Sequence, residues 1–228
     1  LAEKLRTLSA PSRTSHLAAR QVAADGTTKL LLRLHDSRTI ESVLMPDFRP
    51  DRAAGCISSQ VGCAMGCDFC ATTKTGFERN LTAGEIVEQF LALRREALAV
   101  GRKLQTVVFM GMGEPLLNLS HVLAAIDRLA DNRLGALGWR QITVSTVGIV
   151  PGIDALTATG LNVHLAVSLH TLADHALADV VGILDGNAVL SFGKWCQRGL
   201  LAQCLVELVA QAGYFLLSML QEIHSAAV

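Results

Sequence analysis

Cys63, Cys67 and Cys70 stand in the run Cys-Ala-Met-Gly-Cys-Asp-Phe-Cys, a CxxxCxxC pattern. Three thiolates on one short loop can hold three irons of a four-iron cluster and leave the fourth iron open to a ligand. Structural zinc wants four protein ligands, and Cys56 just ahead of the loop could supply the last, so zinc is the second reading on spacing alone. Cys196 and Cys204 lie far away, and 6 cysteines in 228 residues are too few for a disulfide scaffold. The cluster therefore reads as metal binding in a reducing compartment. A second chemical segment is Gly111-Met112-Gly113-Glu114-Pro115. Glycine allows a backbone to approach a ligand closely, and Glu114 can accept from an ammonium group. Alone, that segment is equally a tight turn.

The elements around these residues alternate strand and helix. Two alternating runs over 29–34 and 39–45 flank the turn His35-Asp36-Ser37-Arg38 and predict a hairpin. Strands are expected over 53–58, 104–110, 141–145 and 162–168, and helices over 82–100, 119–131 and 153–159. Thr82 with Glu85 three positions later fits a capping box. Strands separated by helices at this spacing imply parallel pairing. The cysteines and the glycine turn then fall after strand C-termini, where α/β folds place their sites. Residues 1–22 read as a short helix and a linker. After residue 170 the alternation stops, and 171–228 holds few charges. The polar residues Gln203, Glu207, Gln211, Tyr214, Ser218 and Glu222 recur at helical spacing, which favours an amphipathic helix over a membrane span.

Half the chain is hydrophobic, which excludes wholesale disorder. Net charge is zero, so the chain is not a uniformly basic nucleic-acid coat. The charge is uneven: 15 Lys and Arg stand against 11 Asp and Glu up to residue 110, and 5 against 9 beyond it. A polyanion would be met mainly by the first half, with Lys74, Arg79, Arg94, Arg95, Arg102 and Lys103 as the expected contacts. No secretory signal is recognised.

CxxxCxxC with an aromatic residue before its last cysteine, followed by Gly111-Met112-Gly113-Glu114-Pro115 after the next strand, resembles the radical S-adenosylmethionine (SAM) superfamily. Longer stretches resemble one family within it, the adenine C2 methyltransferases of 23S ribosomal RNA and some transfer RNAs, with their C8-methylating relatives. These stretches are Arg38-Thr39-Ile40-Glu41-Ser42-Val43-Leu44-Met45-Pro46, Cys56-Ile57-Ser58-Ser59-Gln60-Val61-Gly62-Cys63, Ala71-Thr72-Thr73-Lys74-Thr75-Gly76-Phe77, Gly111 through Asn118, Ser145-Thr146-Val147-Gly148-Ile149-Val150-Pro151 and Ser168-Leu169-His170. The resemblance runs over residues 1–170. It implies four units of a partial (β/α) barrel over 53–170, a hairpin lead-in over 23–52, the end of an accessory domain over 1–22, and a divergent helical tail over 171–228.

The resemblance also implies roles. Cys63, Cys67 and Cys70 would ligate one [4Fe-4S] cluster. Gly113, Glu114, Ser145, Ser168, Leu169 and His170 would bind SAM. Glu41 would accept the ring proton of the base, and Cys56 would release the product. Each has a plainer reading: a solvated hairpin carboxylate for Glu41, core packing for Cys56, strand-end hydrogen bonds for the serines, an interior histidine for His170. In the family a methylated cysteine near the C-terminus carries the new carbon, and neither Cys196 nor Cys204 lies in a recognisable version of that motif. The expected partners are ribosomal and transfer RNA and an electron donor such as flavodoxin or ferredoxin. The expected state is a cytoplasmic monomer without membrane contact. The competing readings are another radical-SAM enzyme acting on a small molecule, and a family member without turnover.

Overall fold

Residues 28–34 and 40–44 bury every second side chain, and that period of two makes them a strand pair lying on a core. The computed structural model describes residues 15–67 and 70–168. In it β2 (Thr28–Arg33) and β3 (Thr39–Pro46) pair antiparallel in the predicted hairpin. The hairpin turn places Ser37 at φ +67°, an uncommon conformation for a residue other than glycine. β4 (Arg52–Cys56) pairs antiparallel with β3.

β1 (His16–Val22) adds an antiparallel strand to the outer edge of β2, in a stretch that the sequence reads as linker. All seven of its residues are exposed, so neither face is under pressure to be apolar and no alternation marks the strand.

The rest of the sheet is parallel, as strand–helix alternation requires. β7 (Lys103–Phe109), β8 (Ile142–Thr146) and β9 (His164–Val167) follow β4 side by side, giving the order β1-β2-β3-β4-β7-β8-β9. A small second sheet joins β5 (Gln60–Gly62) to β6 (Phe77–Asn80). The helices are α1 (Ala71–Lys74), α2 (Ala83–Ala99), α3 (Leu119–Ala130) and α4 (Val150–Ala158).

One face of the sheet carries the core. Leu30, Leu32, Ile40, Leu44, Val107, Phe109, Ile142 and Val144 are buried, as are Ile86, Phe90 and Leu93 of α2. Each such side chain contributes about 1.5–3 kcal/mol by leaving water. Gly55 of β4 shows how closely α2 lies: a Cβ there would stand 2.9 Å from Leu93 Cδ1. The start of α2 is fixed as its sequence predicts, with Thr82 Oγ1 accepting from Glu85 N at 3.2 Å and Glu85 Oε2 accepting from Thr82 N at 2.8 Å. The expected helix at the N-terminus and the helical tail over 171–228, with Cys196 and Cys204, lie outside the described residues.

Candidate functional site

Parallel strands end on the same side of a sheet, so the loops after β4, β7, β8 and β9 share one edge. Hydrogen bonds join three of them. Ser59 N donates to Met112 O at 2.8 Å, and Gly111 N donates to Ile57 O at 3.1 Å. Met112 N donates to Ser58 Oγ at 2.9 Å, and Glu114 N donates to Gln60 Oε1 at 2.9 Å. Val147 N, after β8, donates to Glu114 Oε2 at 3.0 Å.

These contacts give the glycines a reason that differs from the expected ligand approach. A Cβ on Gly111 would fall 2.7 Å from Ser58 Oγ and 2.8 Å from Ile57 O. A Cβ on Gly113, at φ +96°, would fall 2.5 Å from Gln60 Cβ and 2.8 Å from Gln60 N. What approaches the glycine turn so closely is the segment after β4.

Glu114 is buried, at 3% exposure. Its Oε1 accepts from Leu116 N at 3.0 Å, which starts the 3-10 turn Pro115–Asn118, and its Oε2 holds the β8 loop. Among the described residues no cationic side chain pairs with it. A carboxylate has about four lone-pair sites, so acceptor capacity remains beside these two amides.

The cysteine loop hangs from the small sheet. Cys63 N donates to Gly76 O at 3.0 Å, and a Cβ on Gly62 would lie 1.7 Å from that same oxygen, so the two arms of the loop touch at its base. Cys63 is buried while Cys67 and Cys70 are partly exposed, and all three are free thiols. Burial pushes the Cys63 thiol up, and neighbouring Cys70, Cys67 and Glu114 add to the rise. Among the described residues no three His, Cys, Asp or Glu side chains converge where one metal ion could sit. Three cysteines that each take a different iron suit a cluster, while a tetrahedral zinc needs a fourth protein ligand.

Glu41 and Cys56 share a sheet face. Ser42 Oγ donates to Gln89 Oε1 of α2 at 2.9 Å, so Ser42 points at the helix and its neighbours Glu41 and Val43 point away. Val43 is the pairing partner of Cys56, Cys56 lies beside Val108, and Val108 lies beside Thr143, two residues before Ser145. Register thus puts Glu41, Cys56 and Ser145 on the face turned away from α2. Lys29 Nζ donates to Glu41 Oε1 at 3.1 Å, both side chains being 44% exposed. Cys56 is buried, which pushes its thiol up to about 12. Ser168 N closes the β9 end by donating to Thr146 O at 2.8 Å. Leu169 and His170 lie outside the described residues.

A scan against family models matches the radical SAM superfamily over residues 57–198. The chain belongs to the radical SAM superfamily. As a radical SAM protein it is similar to a probable dual-specificity RNA methyltransferase RlmN 1 of Opitutus terrae, 69% identical over 197 residues, 81% of this chain and 55% of that protein. The dual-specificity RNA methyltransferase RlmN 1 of Myxococcus xanthus is 51% identical over 182 residues, 78% of this chain and 50% of that protein. Among solved structures it resembles a radical SAM methyltransferase from Sphaerobacter thermophilus, with TM-score 0.71 and 41% identity over 87% of this chain and 57% of the other. The chain spans about half the length of the curated relatives it matches. The family resemblance and the partial-barrel fold read from the sequence are borne out, and the superfamily match runs on past residue 170.

The residues fit the two groups that radical SAM proteins use. Three free thiols on a loop closed at its base suit a [4Fe-4S] cluster, and a buried carboxylate with no cationic partner among the described residues suits the ammonium of SAM. No helix of the described residues is long and apolar enough to cross a membrane.

The expected RNA contacts fare less uniformly. Arg79 turns inward to Glu85 and Asp36. Arg94 donates to Leu134 O at 2.7 Å, and Arg102 donates to Arg52 O at 2.8 Å, so both tie down loops. Lys74, Arg95 and Lys103 are exposed. Sequence reasoning missed Gln89, fully buried in α2. Its Oε1 accepts from Ser58 N at 2.8 Å and its Nε2 donates to Ser58 O at 2.9 Å. Ser58 Oγ in turn donates to Glu41 O at 2.7 Å. The available signal was one amide inside the apolar stripe of Ile86, Phe90 and Leu93.

Proposed function

We propose that this chain is the radical-SAM part of an RNA methyltransferase acting on C2 of an adenine in ribosomal RNA, and in some transfer RNAs. The observation that carries the reading is the shared sheet edge. The cysteine loop and Glu114 stand there, and Glu41, Cys56 and Ser145 occupy the face of that sheet turned away from α2. The relatives, dual-specificity RNA methyltransferases by name, support the substrate class.

In this reading Cys63, Cys67 and Cys70 hold the cluster. Glu114, Gly113, Ser145 and Ser168 hold SAM, with Leu169 and His170 following in the chain. A bound cluster supplies an electron to SAM and so opens radical chemistry at carbons that an ordinary methyl transfer cannot reach. Glu114 fixes one end of SAM through charge-assisted hydrogen bonds. Glu41, with one carboxylate oxygen on Lys29 and the side chain half-exposed, takes the proton released from the base. Cys56 stays a neutral thiol until that step, since burial holds its proton. A flavodoxin or ferredoxin would be the electron source, and the cytoplasm the site of action.

The test is anaerobic. The chain is reconstituted with iron and sulfide, given reductant and SAM, and 5′-deoxyadenosine is quantified by mass spectrometry. Cleavage that is lost in Cys67→Ala is the expected result. A chain that binds iron but forms no 5′-deoxyadenosine would overturn the assignment of a working SAM site to these residues. With RNA added, nuclease digestion followed by mass spectrometry reads C2-methyladenosine, and cleavage without that product would overturn the RNA part.

A further inference from the structure

Arg79 lies on β6, the strand by which the chain returns from the cysteine loop. Its guanidinium is divided between two elements. Nη1 and Nη2 grip Glu85 of α2 at 2.9 and 2.8 Å, a bidentate pair in which the carboxylate is 2% exposed. Nε donates to Asp36 Oδ2 of the hairpin turn at 2.8 Å. The same turn sends Arg38 to Glu78, the residue before Arg79, while Arg38 Nη1 reaches back to Asp36 Oδ2 at 3.1 Å. Glu85 is also the residue that caps α2 through Thr82 N.

The charges are well matched. The Arg79 hydrogen bond holds the Asp36 carboxyl well below its ordinary range. Burial works against the charge of Glu85, yet Arg79 and the Thr82 amide outweigh it and hold that carboxyl down too. Exposed single pairs contribute little, but a bidentate pair on a buried carboxylate, shared with a second acid, fixes geometry strongly.

We propose that Arg79 is a positioning residue for the cysteine loop: it ties the return strand to the hairpin turn and to the first turn of α2, and so sets the thiols of Cys63, Cys67 and Cys70 in register with Glu41. The path is short and continuous. Arg79 pairs with Val61 across the small sheet, and Gly62 and Cys63 follow at once. On the other side Arg38 precedes β3, which begins at Thr39 and carries Glu41. A sequence reading gives this arginine to RNA, yet four of its five N–H donors are directed inward or along its own strand, Nη1 also reaching Asn80 O at 3.0 Å.

The inference rests on the cluster-loop reading only for its second measurement. In the first, the iron-free full chain is treated with iodoacetamide and the modification rates of Cys56, Cys67 and Cys70 are read by peptide mass spectrometry. Arg79→Met should speed Cys67 and Cys70 by about tenfold, because a buried partner is left unpaired and the strand is released. Asp36→Asn, which keeps Glu85 paired, should speed them a few-fold, and Arg79→Lys should fall between wild type and Arg79→Met. Cys56, in the core, should stay slow throughout. In the second, the reconstituted chains are compared for the electron paramagnetic resonance spectrum of the reduced cluster and for the rate of iron loss to a chelator. Faster loss and a shifted spectrum are expected in Arg79→Met and Asp36→Asn. Variants that match wild type in both measurements would overturn the proposal, as would Cys56 accelerating in step with the other two, since that marks general unfolding. A wild-type chain that takes up no cluster would defeat the proposed function instead, while the alkylation rates would still decide the role of Arg79.

Discussion

Replacing Gly113 with alanine isolates why the turn after β7 is glycine. Three effects add at this position. The backbone sits at φ +96°, where a side chain costs about 1–2 kcal/mol. The new Cβ meets Gln60 Cβ at 2.5 Å and Gln60 N at 2.8 Å, so the neighbouring backbone must shift, an overpacking cost of about 1–3 kcal/mol. That shift draws Gln60 Oε1 off Glu114 N, a further loss of about 1 kcal/mol. The total is about 3–6 kcal/mol, a large share of the roughly 5–15 kcal/mol by which a domain is stable. Gly160→Ala is the matched control. Gly160 also has positive φ, +66°, but a Cβ there meets nothing within 4 Å, so only the conformational cost of about 1–2 kcal/mol applies. Urea unfolding of both variants, compared at equal m-value, reads the difference. A gap of about 2–4 kcal/mol is expected from the packing and hydrogen-bond losses. If Gly113→Ala costs no more than Gly160→Ala, the close approach of the two loops is not what selects glycine, and the expected ligand approach regains its place.

Gln89→Leu leaves Ser42 Oγ, Ser58 N and Ser58 O without their partner in the core, and should cost about 3–9 kcal/mol at roughly 1–3 for each unsatisfied group. Hydrogen exchange should accelerate at Ser58 N, and unchanged protection there would contradict the network. Cys56 gives a pH test. Its thiol moves from the ordinary 9.0 up to about 12 in the folded chain, so between those values the unfolded chain releases a proton that the folded one keeps. Stability from this group is therefore intact below about pH 9 and falls as pH rises toward 12. Denaturant midpoints at pH 7.5 and 10 should converge more in Cys56→Ala than in wild type, and equal slopes would refute the assignment.

Local patterns carried a large part of this molecule. The hairpin, the four parallel strands and α2 follow from periods of 2 and 3.6, and the Thr82–Glu85 capping box is complete within four residues. The CxxxCxxC loop was legible because its chemistry is encoded by spacing along the chain. What the sequence left open depends on partners that the fold brings from afar. β1 has no buried face, so only its ladder to β2 reveals it. The same charge on Arg79 serves RNA or a buried carboxylate, and only the nearness of β6 to the first turn of α2 and to the hairpin turn selects the second. Gly113 announces a tight place but not what fills it, and Gln60 fills it from 53 positions earlier. Spacing along the chain fixes which groups are available, because secondary structure is periodic. Which of them touch is decided by strand order and by loops meeting at one sheet edge.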